Sequence, residues 1–122
     1  MKGFLVDTNV ALAGALGPEG LSPQIRAALV SGPNWLSVIC YWEVIIKCGK
    51  GRLPIANPHQ WWANALAHLG GRTLAVQEKH IAAVYDLPRL HHDPFDRALV
   101  AQAIVEDLTL VTMDRTLVRY AS

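Results

Sequence analysis

Short apolar runs alternate with segments of helical spacing along the chain. The apolar runs are each short enough for one buried strand, and they lie at GFLV (3–6), NWL (34–36), TLAV (73–76) and LTLV (108–111). In the segments between them apolar residues recur every three or four positions, at 25–29, 38–48, 61–69, 81–85 and 95–104. Strands that alternate with helices predict an α/β layered fold with a parallel sheet.

The amino-acid composition limits the class of protein. With 122 residues the chain has room for one domain, which we assign to residues 1–122. A hydrophobic fraction of 52% against 17% charged residues indicates a sheet buried on both faces or a partner interface, with apolar surface expected on the helices before residue 70. The net charge of +1 lacks the basic footprint of a general nucleic-acid-binding domain. Any action on nucleic acid must therefore be argued from a site.

The sequence carries no sign of a membrane segment. No apolar run reaches the roughly 18 to 20 residues that span a bilayer, and Asp7 interrupts the first apolar run too early for a signal peptide. Cys40 and Cys48 fall within one predicted helix, and we expect them to be reduced residues of the core rather than a disulfide or a zinc pair. We therefore expect a cytoplasmic protein that does not contact a membrane.

Two aspartates directly follow predicted strands. Asp7 ends the run GFLV, and Asp114 follows LTLVTM. In an open parallel sheet, ligands bind beyond the carboxyl ends of the strands, so both positions have a functional interpretation. Each residue could instead cap a helix, Asp7 the one that begins near Thr8 and Asp114 a short helical tail. The pattern alone leaves both interpretations open.

Glu43 interrupts the apolar segment WLSVICYWEVIIKCG. Of its helical neighbours three and four positions away, only Lys47 is polar. One interpretation is an exposed Glu43–Lys47 pair, which would contribute about 0.3 to 0.5 kcal/mol. The interpretation we favour is a carboxylate on a largely buried face, which needs a cation or hydrogen bonds to compensate for its burial.

The stretch HHDPFDRAL (91–99) combines a helix start with two carboxylates. If Pro94 is the first helical residue, Asp93 is the N-cap and Asp96 the third residue of the helix. Asp93 then has a sufficient structural role, whereas Asp96 lies beside the apolar face and is the better candidate for a site. His91 and His92 suggest metal ligands only weakly, because they lack helical ligand spacing, and we predict a solvated loop there.

The four acids Asp7, Glu43, Asp96 and Asp114 gain significance as a set. Two follow strands, one begins a helix and one lies on a helix face, so a compact fold could bring them together. Clustered carboxylates repel one another, and a cluster of oxygen ligands suits Mg²⁺ or Mn²⁺ far better than Zn²⁺. The set predicts a divalent metal site built of oxygen ligands.

At these residues the sequence resembles the PIN-domain ribonucleases, and especially the VapC-type toxins of toxin–antitoxin modules. The matching segments cover nearly the whole chain in the family's order, and they are FLVDTNV, LSVICYWEVIIKCGKGRLPI, LHHDPFDRALVAQA and LTLVTMDRTLVRY. The resemblance implies a PIN-like three-layer fold with a parallel sheet of four or five strands flanked by helices. It also implies a cognate antitoxin that covers the site, and a homodimer.

Carried over residue by residue, the family's acidic site falls on Asp7, Glu43, Asp96 and Asp114, with Thr112 close by. The implied activity is Mg²⁺-dependent hydrolysis of RNA phosphodiester bonds by these four residues, which act as both metal ligands and catalytic residues. Asp93 could be a cap or an outer ligand. Candidate contacts to the RNA backbone are cationic, and they are Lys47, Lys50, Arg52 and Arg97.

Two other functions remain open. A PIN-like binding module without catalysis would share the fold, although the complete set of four acids argues against it. Another Mg²⁺-dependent phosphohydrolase or a phosphorelay receiver is a weaker alternative. A receiver needs an Asp at the end of a central strand, and residues 44–85 contain no Asp.

Overall fold

Four short strands form one parallel sheet. In this computed structural model, which describes residues 3–16, 20–88 and 93–114, the strands are β1 (Phe4–Val6), β2 (Asn34–Ser37), β3 (Arg72–Leu74) and β4 (Thr109–Val111). The order across the sheet is β3-β2-β1-β4, and every neighbouring pair is parallel. The four predicted strands and the parallel sheet are confirmed.

Six helices surround the sheet in the described part of the chain. They are α1 (Thr8–Leu16), α2 (Pro23–Ser31), α3 (Val38–Gly49), α4 (Pro58–Leu69), α5 (Glu78–Tyr85) and α6 (Pro94–Glu106). The predicted helical segments are confirmed. Polar side chains cap the starts of α2, α3, α4 and α6, and these residues are Ser22, Ser37, Asn57 and Asp93. None of the described helices combines the length and hydropathy needed to cross a membrane.

Successive residues of β1 face opposite sides of the sheet, and helices cover both sides. Val6 packs in a cluster with Val10 of α1 and Trp61 of α4, whereas Leu5 packs with Cys40 and with Leu99 of α6. Leu5 and Val6 are completely buried. This explains why the strands read as continuous apolar runs rather than as alternating ones. Helices on both faces of the sheet give the predicted three-layer fold.

The carboxyl ends of the two neighbouring strands β1 and β4 lie side by side. Val6 pairs with Val111, and the backbone N–H of Asp7 donates to the carbonyl oxygen of Val111 at 3.1 Å. The residues that follow these strands therefore share one edge of the sheet. This is the edge at which ligands bind in open parallel sheets.

Candidate metal centre

Asp7 has a structural partner on each of its carboxylate oxygens. It is buried, and its Oδ1 accepts a hydrogen bond from the backbone N–H of Val10 at 2.9 Å, in the first turn of α1. Its Oδ2 accepts a hydrogen bond from the hydroxyl of Thr112 beyond β4. Asp7 thus caps α1 and also lies at the sheet edge, so the two interpretations of this residue are compatible.

Thr112 joins the ends of β1 and β4. Its hydroxyl donates its proton to Asp7, and its Oγ1 accepts a hydrogen bond from the backbone N–H of Asp114 at 3.0 Å. This contact holds the backbone of Asp114 beside Asp7 although the two residues are far apart in the chain. The helical tail predicted after Asp114 lies outside the described residues.

Glu43 is buried on α3 with only 6% of its surface exposed. Its Oε1 accepts a hydrogen bond from the hydroxyl of Thr8 at 2.7 Å, and its Oε2 lies 2.8 Å from the ammonium of Lys47. The predicted buried carboxylate is therefore confirmed. The Lys47 pair that we weighed against burial is also present, and it supplies the compensating cation.

Three of the predicted acids share one region. Thr8, the residue after Asp7, donates to Glu43, and Thr112 joins Asp7 to the backbone N–H of Asp114. Asp7, Glu43 and Asp114 therefore form one acidic region at the sheet edge. Burial raises the pKa of Asp7 above its usual value of 3.8, the hydrogen bonds from Thr112 and Val10 lower it, and the negative charges of Glu43 and Asp114 raise it further.

Asp93 and Asp96 occupy the predicted positions at the start of α6. Asp93 is the N-cap, and its Oδ1 accepts hydrogen bonds from the backbone N–H groups of Phe95 at 2.8 Å and Asp96 at 3.2 Å. Pro94 is the first helical residue and Asp96 the third, half-buried. The contacts described above join Asp7, Glu43 and Asp114 and do not include Asp96. Its assignment to the site therefore stays a prediction.

The donors at this site fit a hard divalent cation by their chemistry. The side chains that meet here offer carboxylate and hydroxyl oxygens, which Mg²⁺ and Mn²⁺ prefer. Among the residues that the structure describes, no three His, Cys, Asp or Glu side chains converge closely enough to hold an ion. The ammonium of Lys47 takes the place of a cation at Glu43. Metal binding at Oε2 of Glu43 would thus require the ammonium of Lys47 to move.

One residue of the site, Thr8, was missed by sequence reasoning. Thr8 supports Glu43, and its only sequence signal is its place directly after Asp7 at a helix start.

The guanidinium of Arg97 donates to the carbonyl oxygens of Val84 at 3.0 Å and Pro88 at 3.2 Å. It therefore supports the end of α5, and the RNA contact suggested for it stays a prediction. His91 and His92 lie outside the described residues.

Comparisons with known proteins identify the family. Three solved structures have similar folds at low identity. VapBC2 from Rickettsia felis bound to a DNA fragment from their promoter has a TM-score of 0.69 and 18% identity over 96% of this chain and 92% of that one. FitAcB from Neisseria gonorrhoeae has a TM-score of 0.64 and 22% identity over 97% and 92%. A toxin-antitoxin complex from Klebsiella pneumoniae has a TM-score of 0.61 and 21% identity over 90% and 85%.

The sequence comparison is more specific than the structural one. No curated protein matches the chain significantly. The model of the PIN domain family matches residues 4–122, which is nearly the whole sequence. The chain therefore belongs to the PIN domain family.

Proposed function

We propose that this chain is a metal-dependent endoribonuclease and the toxin of a toxin–antitoxin pair. The observation that carries the proposal is the acidic region at the carboxyl ends of two parallel strands, where hydrogen bonds of Thr8 and Thr112 link Asp7, Glu43 and Asp114. Family membership and the similarity to toxin–antitoxin complexes support the same function. The near-neutral net charge agrees with a substrate that is held mainly at the site.

The proposed ligands of the ion are Asp7, Glu43, Asp96 and Asp114, with Mg²⁺ as the cofactor and Mn²⁺ as a substitute. A bound ion would activate water and neutralise charge on the scissile phosphate. The protein's own contribution is orientation. Thr112 and the N–H of Val10 fix the carboxylate of Asp7, and the hydroxyl of Thr8 fixes that of Glu43.

We expect purified protein to cleave a structured RNA in Mg²⁺ or Mn²⁺ and to lose this activity in EDTA, because all proposed ligands are oxygen atoms. Cleavage of a labelled RNA followed on a denaturing gel measures both conditions, and restored activity on adding back Mg²⁺ is the control. Full activity in EDTA would exclude the mechanism. RNA that is bound but left uncut in Mg²⁺ would favour the alternative of a non-catalytic PIN-like binding module.

An apolar groove between α3, α5 and α6 is the surface we propose for a second copy of the chain. The groove encloses about 460 Å³, and its lining is formed by Ile39, Trp42, Ile81, Val84, Tyr85, Pro94, Phe95 and Ala98. The exposed fractions are 57% for Trp42 and 90% for Tyr85. A groove flanked by such protruding rings is suited to the self-complementary contact of a symmetric dimer. The helices before residue 70 expose Val30, Trp42 and Ile45, as predicted, and of these helices α3 lines the groove.

We expect a homodimer that dissociates in Trp42→Glu, because the substitution places a charge in the proposed interface. Ile104→Glu is the matched control, since Ile104 is similarly exposed at 56% but does not line the groove. Light scattering at micromolar concentrations measures the mass of each variant.

The cognate antitoxin, sought as the product of the adjacent reading frame, should add its own mass to wild type. A monomer that this product leaves unchanged would contradict both proposed partners.

A further inference from the structure

The two partners of Glu43 differ in their freedom to leave it. Thr8 is 3% exposed and lies in the first turn of α1, so its hydroxyl is held by the fold. Lys47 lies one turn after Glu43 on α3, and 32% of its side-chain surface is exposed. A lysine ammonium on a flexible, partly exposed stem can move into water at little cost. The fold therefore holds the hydrogen bond from Thr8, whereas the contact with Lys47 can be exchanged.

A divalent ion and the ammonium of Lys47 compete for the same carboxylate. Lys47 lies 2.8 Å from Oε2 of Glu43, while Oε1 accepts the hydrogen bond from Thr8. An ion bound at Oε2 would lie within a few ångströms of the ammonium. At that distance the ammonium and the divalent ion repel each other, and the repulsion is stronger at a partly buried site than in water. Binding of the ion therefore favours departure of Lys47.

We infer that Lys47 is an exchangeable counter-ion, which neutralises Glu43 when no metal is bound and is displaced when a divalent ion binds. The inference rests on the proposed metal-dependent function, and it assigns Lys47 a role distinct from a surface ion pair. The surface pair would leave metal affinity unaffected. The counter-ion weakens metal binding and stabilises the metal-free fold.

The experiment measures Mg²⁺ binding by calorimetry and melting temperature in EDTA and in Mg²⁺. Lys47→Met should bind Mg²⁺ about tenfold more tightly than wild type, because the ion no longer displaces an ammonium. It should also melt several degrees lower in EDTA, because a buried carboxylate has lost its cation, and saturating Mg²⁺ should close most of this gap. Both readouts are independent of RNA cleavage.

Two further variants make the result specific. Lys50→Met removes the same charge from the end of the same helix, at an exposed residue that is not paired with Glu43, and should change Mg²⁺ affinity less than twofold. Lys47→Arg should bind Mg²⁺ more weakly than wild type, because a guanidinium can hold a carboxylate with two hydrogen bonds. This variant keeps the charge and tests the inference even if Lys47→Met does not fold.

The outcomes separate this inference from the proposed function. Equal Mg²⁺ affinities of Lys47→Met, Lys47→Arg and wild type, in a protein that cleaves RNA, would overturn the counter-ion role alone. Tighter binding by Lys47→Met without any RNA cleavage by wild type would support the counter-ion role and contradict the nuclease. Failure of wild type to bind Mg²⁺ would overturn both.

Discussion

Replacement of Asp7 by asparagine is expected to reduce RNA cleavage by at least about a hundredfold and at the same time to stabilise the metal-free protein. The loss of activity follows because the amide is a poor ligand for Mg²⁺ in place of a central carboxylate. The fold should persist, because asparagine keeps a carbonyl oxygen for the N–H of Val10 and caps helices about as well as aspartate. Activity and stability should therefore change in opposite directions.

The gain in stability comes from the cost of ionising Asp7 inside the protein. Burial, with help from Glu43 and Asp114, raises the pKa of Asp7 above its usual value of 3.8. A carboxyl group whose pKa is raised by folding is favourable while protonated, and this contribution is lost as pH rises through the folded-state pKa. We therefore expect the free energy of unfolding at pH 7, and with it the melting temperature, to be higher for Asp7→Asn than for wild type.

The pH dependence is the sharpest test of this explanation. Melting curves in EDTA should show a difference between Asp7→Asn and wild type that shrinks as pH falls through the folded-state pKa of Asp7, because the carboxyl group then becomes neutral like the amide. Asp107→Asn is the control, since Asp107 is an exposed carboxylate at the end of α6 and should affect neither cleavage nor this difference. A mutant that melts lower than wild type at pH 7 would show that the carboxylate of Asp7 has a net stabilising role.

The pair Asp96→Asn and Asp93→Asn should behave in opposite ways although the residues lie three positions apart. Asp96→Asn is expected to lose most of the RNA cleavage and most of the melting-temperature increase that Mg²⁺ gives wild type, because it removes a proposed ligand. Asp93→Asn should retain most of both, because its carboxylate caps α6 and asparagine can accept the same hydrogen bonds.

Melting in EDTA and in Mg²⁺, together with the RNA assay, decides the role of Asp96. If Asp96 only stabilises the helix dipole of α6, its substitution should lower stability by about 0.3 to 1 kcal/mol and leave the Mg²⁺ response intact. That result would remove Asp96 from the site. Loss of the Mg²⁺ response in Asp93→Asn as well would instead assign Asp93 to the metal centre as an outer ligand.

The backbone architecture was predictable because its signals are local. Apolar runs marked the four strands. Because the carboxyl ends of parallel strands lie at one edge of the sheet, the sequence also predicted that Asp7 and Asp114 lie close together. Helical spacing placed Glu43 on a buried face. In the same way, the sequence Asp93-Pro94 predicted the start of α6, which the structure confirms.

Details that depend on packing between distant elements were not predictable. The hydroxyl of Thr8 reaches Glu43 only because α1 and α3 are in contact. Sequence spacing presented the pairing with Lys47 and the burial of Glu43 as alternatives, whereas the fold buries one end of the pair and exposes the other. Arg97 is a second example. The sequence does not distinguish an arginine that donates to backbone carbonyl oxygens, as Arg97 does, from one that is available to bind RNA.

The hydrogen bond between Thr112 and Asp7 closes a loop of 105 residues in sequence. Contacts of such long range form only after the intervening chain is available, whereas the pair of Glu43 and Lys47 lies within one helix. During synthesis, the acidic region can thus form only after residue 114 has emerged from the ribosome and β4 has paired with β1. Under the proposed function, a nascent chain of this protein is expected to leave uncut the messenger from which it is being translated.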